Sequence, residues 1–67
     1  MTGQKLREIR RELGWTQARL ADHLGFSTNY LAQLDRGGRR ISERTAREVE
    51  ILHLVYRLAL TLGLRET

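Results

Sequence analysis

Three polar side chains within six residues, Thr28, Asn29 and Gln33, carry the chemistry this chain offers most clearly. In a helix they share one outward face, with Ala32 between them and no charge among them. A face that only meets water would carry arginine and glutamate here, as the first helix does. Small amides and a hydroxyl instead match the donors and acceptors on base edges in a DNA major groove. Asn29 and Gln33 lie one turn apart, and either amide can pair bidentately with adenine N7 and N6, worth about 1–3 kcal/mol against a wrong base. Thr28 can offer its methyl to thymine or its hydroxyl to a base or phosphate. For Tyr30, core packing with the hydroxyl at the rim and a phosphate contact both stay open.

Phosphate chemistry follows directly downstream. Residues 36–47 hold Arg36, Arg39, Arg40, Arg44 and Arg47 against one acid, Glu43. The chain has 12 Lys+Arg and 8 Asp+Glu, a net charge of +4, so this stretch contains the entire excess. Each phosphate neutralised by such cations adds about −0.9 to the salt dependence of binding. Helix starts at Thr16 and Ser27 would add backbone N–H groups that favour anions.

The elements that must position these groups are helices. Leu6, Ile9 and Leu13 recur at helical spacing from about Thr2 to Leu13, and Gly14 supplies a stop. Arg10 lies beside that apolar stripe, where a cation wants a carboxylate. Trp15 is expected to plug the core between helices. Thr16 caps a second helix whose inward face is Leu20, Ala21 and Leu24; Gly25 turns the chain, Phe26 packs inward, and Ser27 caps a third helix with Tyr30, Leu31 and Leu34 inward. Two short helices meeting at a glycine, from Gln17 to Gly37, form a helix-turn-helix pattern. Ser42 caps a last helix over 43–62, roughly 30 Å long. Ala46, Val49, Leu52 and Tyr56 can cover the preceding helices, whereas Ile51, Leu54, Val55, Leu58 and Leu62 have nothing left in the chain to bury them. A stripe of that size marks an interaction surface, read here as a homodimer seam.

Size and composition narrow the classes. The 67 residues make a single domain (1–67) with an all-α fold, a compact bundle of four to five helices in which the last is long and dimerising. Such a chain buries only about 60% of its unfolded surface, and without cysteine neither disulfides nor cysteine-based zinc sites can reinforce it. His23 and His53 lack the clustered partners of a metal site and are expected at the surface, so no metal or other cofactor is expected. No nucleophile–base pairing points to an enzyme. The charged N-terminus has no signal-peptide core, and the apolar run from Ile51 to Leu64 is too short for a bilayer and contains His53 and Arg57, so a cytoplasmic protein without membrane contact is expected.

The pieces LREIRRELGWTQ, ARLADHLGFS, NYLAQLDRG and RRIS together resemble the helix-turn-helix repressors of the phage Cro/cI type, the Xre family, over Leu6 to Val49, roughly two thirds of the chain. The resemblance implies a compact bundle of about five helices whose third enters the major groove. It implies that Gln17 anchors to a phosphate, that Thr28, Asn29 and Gln33 read bases, and that Arg10 and Asp35 form a buried ion pair. Two positions depart from the family pattern. Ile41 stands where proline is usual before the last helix cap, and ILHLVYRL runs on where a glycine-containing turn is common.

The expected function is that of a sequence-specific DNA-binding transcriptional regulator, a small homodimeric (auto)repressor on a near-palindromic operator. Repression would come from occupying a promoter. The residues expected at double-stranded DNA are Gln17, Ser27, Thr28, Asn29, Tyr30, Gln33, Arg36, Arg39, Arg40 and Arg44, with Arg39 among the phosphate contacts. The alternative is an antitoxin-type interaction module that holds a toxin or another regulator through its last helix.

Overall fold

In the computed structural model, residues 1–63 are described and form four helices: α1 (Gly3–Leu13), α2 (Gln17–Leu24), α3 (Thr28–Asp35) and α4 (Glu43–Thr61). The end of the apolar run at Leu64, and residues 64–67 of the expected domain, lie outside the described residues. No strand occurs among the described residues. Of the four or five helices expected, four are present, and 43–61 is one unbroken helix.

Every helix starts on a hydroxyl. Thr2, Thr16, Ser27 and Ser42 each stand in extended conformation and accept a hydrogen bond from the backbone N–H three residues on. This satisfies one of the donors that a helix start leaves without an internal acceptor. Gly25 ends α2 at φ 76°, a left-handed conformation that glycine adopts without steric cost. Phe26 N–H then bonds back to the Ala21 carbonyl at 2.8 Å, which closes the turn into α3.

The core is a single cluster of Leu6, Ile9, Leu13, Leu20, Ala21, Leu31, Leu34, Ile41, Ala46 and Val49. α2 packs most extensively on α3, and α1 packs on α3 and on α4. Ala21 is wholly buried in this cluster, where a larger side chain would push the crossing helices apart. Ile41, at the position where the family favours proline, is also buried and acts as a core residue at the entry to α4.

A buried network fastens the two ends of the helix-turn-helix. Asp35, at the end of α3, is 5% exposed. Its Oδ2 accepts from Arg10 Nη2 at 3.3 Å and from Gln17 Nε2 at 3.1 Å, and Arg10 Nη1 donates to the Trp15 carbonyl at 2.9 Å. The pair implied by the family resemblance is therefore present, with Gln17 as a third member.

Two side chains sit differently from expectation. Trp15 is half-buried against the core rather than plugged into it, with the His23 ring edge-on at 5.6 Å and the Arg19 guanidinium 4.4 Å from its centroid. Its place directly after the α1 stop puts it at the rim, where polar neighbours can reach its faces. His53 is at the surface but only partly exposed: its side chain is 16% exposed and its Nε2 contacts Glu12 Oε2, joining α4 to the end of α1. His23 is exposed, as expected.

The start of α1 docks closely on the end of α3. A Cβ placed on Gly3 would lie 2.5 Å from the Leu34 carbonyl oxygen, 2.8 Å from Gly37 N and 2.9 Å from the Asp35 carbonyl oxygen. All three are backbone atoms, which no rotamer change can move aside. Gly3→Ala is expected to destabilise by about 1–3 kcal/mol despite alanine's better helix propensity, because the two helices must move apart. A thermal melt of the variant measures this, and an unchanged or raised Tm would mean that the approach is slack.

Candidate nucleic-acid interface

The α2–turn–α3 unit places the predicted readers on one surface. Thr28 and Asn29, in the first turn of α3, are exposed, and Gln33 one turn later is half-exposed. Ser27 Oγ accepts from Tyr30 N–H at 3.1 Å and Ser27 O from Leu31 N–H. The backbone N–H groups of Thr28 and Asn29 thus have no acceptor within the helix and point out of its N-terminal end. Such a helix start holds partial positive charge and suits a phosphate or a base acceptor.

Tyr30 is half-buried and packs against the core, with its ring T-shaped on Phe26 at 4.9 Å between centroids. The core role of the ring is therefore visible.

Beyond α3, Arg36, Arg39 and Arg40 are all exposed, and none has a carboxylate partner among the described residues. Their charge is thus available to an anion. Arg44 differs. Its side chain, 91% exposed, lies 3.7 Å from Glu48 one turn on, so a phosphate would have to compete with that carboxylate. An exposed pair of this kind contributes about 0–1 kcal/mol and yields readily to a stronger anion.

Two of the expected contact residues already have partners within the chain. Gln17 donates one N–H of its side-chain amide to Asp35, as described above, so an anchoring phosphate at the start of α2 would meet its backbone N–H and the second N–H of that amide. Gln33 accepts from Arg39 Nε at 2.6 Å through Oε1. Sequence spacing gave no sign of this second bond, because Arg39 lies in a loop whose path the helical pattern does not specify. The one available signal was the Gly37-Gly38 pair, which lets the loop fold back so that Gly38 N–H bonds to the Gln33 carbonyl at 2.9 Å.

A family model for the helix-turn-helix domain matches residues 3–67. The chain belongs to that family. Comparison with curated proteins and with solved structures gives no match. The helix-turn-helix domain is a DNA-binding fold. Among the described residues no helix is long and apolar enough to cross a membrane, and no three metal-ligating side chains come together.

The second half of α4 and its cap present Ile51, Leu54, Val55, Leu58 and Leu62, each between 54% and 67% exposed, together with Leu60. Ala46 and Val49 on the other face are buried, and Leu52 and Tyr56 pack against the core, as the sequence pattern requires.

Proposed function

We propose that this domain is a sequence-specific transcriptional regulator of the Cro/cI (Xre) type, acting as a small homodimeric (auto)repressor on a near-palindromic operator. The observation that carries the reading is the juxtaposition of an uncharged hydrogen-bonding face (Thr28, Asn29, Gln33) and exposed arginines without a carboxylate partner (Arg36 and Arg40, with Arg39 held beside Gln33). The first selects bases in the major groove, and the second binds the phosphates that flank it. Ser27 and the start of α3 sit against the backbone, Gln17 and the start of α2 approach the neighbouring phosphate, Tyr30 supports the rim, and Arg44 joins when it leaves Glu48.

The homodimer places two copies of α3 about 34 Å apart, one helical turn of DNA, so half-site spacing follows from how the α4 helices pair. The supporting observation is the row of exposed large apolar side chains on α4, which a second copy would bury. The same row could hold a different protein, as in an antitoxin. Light scattering of the purified chain separates the two: a monomer that leaves the row exposed favours the heterologous partner.

Selecting bound duplexes from a random pool tests the whole reading, since a two-fold consensus reports base reading and dimer together. Asn29→Ala is expected to relax the preference at its own position by about 1–3 kcal/mol while leaving other positions intact. Arg36→Ala is expected to weaken cognate and random duplexes alike and to lower the salt slope by about one. Equal losses on both duplexes for the two variants would remove Asn29 from the base-reading set.

A further inference from the structure

We propose that Arg39 determines which base Gln33 reads, presenting it to the groove as a donor only and so selecting guanine in place of adenine. The proposal rests on the reading of α3 as the base-contacting face.

Arg39 Nε lies 2.6 Å from Gln33 Oε1. Arginine has donors and no acceptor, so the amide atom facing it must be the oxygen, and the Gln33 Nε2 with its two N–H groups is turned away. A bidentate contact to adenine needs both amide atoms on one base edge, the oxygen accepting from N6 and the nitrogen donating to N7. Guanine shows two acceptors there, O6 and N7. With the oxygen drawn onto Arg39, the nitrogen is what remains to reach a base, and the neighbouring guanidinium adds further donors beside the same acceptor-rich edge.

Arg39 is itself held. Its guanidinium lies 5.5 Å from the Tyr30 ring centroid, and Tyr30 is T-shaped on Phe26, with both rings packed against the core. The loop backbone repeats the grip, since Gly38 N–H bonds to the Gln33 carbonyl. No carboxylate among the described residues competes for Arg39. Gln33 is thus fastened from its backbone and from its side chain by the same loop. A plain phosphate contact would need neither the 2.6 Å bond nor the ring behind it.

The test is selection of bound sequences from random duplex DNA by the wild-type chain, Arg39→Ala and Gln33→Glu, followed by titration of duplex pairs that differ at one base pair. Wild type is expected to select guanine at one position in each half-site. In Arg39→Ala that position should move toward adenine, the guanine-to-adenine preference shifting by about fivefold or more, with the rest of the consensus unchanged. Gln33→Glu keeps an acceptor for Arg39 but has no N–H to donate, and should lose the guanine preference. Arg39 is exposed, so a melt within a few degrees of wild type is expected for its alanine variant.

A consensus unchanged in Arg39→Ala, with affinity lower on every duplex, would make Arg39 a phosphate contact and overturn the proposal while leaving base reading by α3 intact. Adenine at that position in the wild-type consensus would overturn it as well. Salt-dependent binding with no wild-type consensus at all would remove base reading by α3, and this proposal with it.

Discussion

Asp35→Ala is expected to cost about 3 kcal/mol of stability, a large fraction of what a domain of this size possesses. At roughly 0.05–0.15 kcal/mol per residue, a chain this short is stable by about 3–10 kcal/mol. Asp35 is 5% exposed and its Oδ2 accepts from both Arg10 and Gln17. Without it, Arg10, whose side chain is 14% exposed, keeps only the Trp15 carbonyl, and the Gln17 amide loses its acceptor. Breaking one side of a buried pair costs about 3–5 kcal/mol, chiefly because the remaining charge is left unpaired.

The lower end applies here because the pairing is one-sided. Asp35 Oδ1 and Arg10 Nε are buried without a hydrogen-bond partner among the described residues. The Tm should therefore fall by roughly 12–24 °C, read from a thermal melt. The double variant Arg10→Met, Asp35→Leu is expected to recover much of the loss, since an apolar pair leaves no buried charge. A shift under about 4 °C in Asp35→Ala, about 1 kcal/mol, would show that the pair is solvated and contributes little.

For the proposed homodimer, Leu58→Glu is expected to give a folded monomer and to lower affinity for a two-half-site operator by roughly 10²–10⁴, the range over which linked binding exceeds single-site binding. Leu58 is 54% exposed in the middle of the row formed by Ile51, Leu54, Val55 and Leu62. A carboxylate at that place in a paired seam would have to be buried without a partner. Glutamate is nearly as good a helix former as leucine, so α4 should keep its helicity in circular dichroism. Affinity for a single half-site should stay near wild type, because Leu58 belongs neither to α3 nor to the arginine loop. A Leu58→Glu chain that remains dimeric would place the seam elsewhere. A wild-type chain that is monomeric would shift the reading of this face toward a heterologous partner.

These two variants act on different layers of the molecule, and they differ in how far the sequence foretold them. The Arg10–Asp35 pair was foretold from two sides: Arg10 borders an apolar stripe, and its family counterpart commonly pairs with the position of Asp35. Gln17, expected at a phosphate, joined that pair as a third member, which spacing could not reveal. The apolar row on α4 was legible because a helix has only one face to give to its own core. Once Ala46, Val49, Leu52 and Tyr56 are used there, the remaining leucines have no cover within the described residues.

What the sequence determined by itself is local. The hydroxyls Thr16, Ser27 and Ser42 cap helices through bonds to the backbone three residues on, and Gly14 and Gly25 end them through a conformation glycine adopts freely; both depend on spacing alone. The helical faces follow from the same periodicity, and with them the outward set Thr28, Asn29 and Gln33. What only the tertiary structure decided is which side chains meet across elements. Gly3 against the end of α3, His53 against Glu12, and Arg39 against Gln33 each join segments whose approach depends on how helices dock and how a glycine-containing loop returns. Sequence periodicity places a side chain on a face. The fold decides what that face touches, and for Gln33 the contact with Arg39 engages the amide oxygen and leaves the amide nitrogen to other partners.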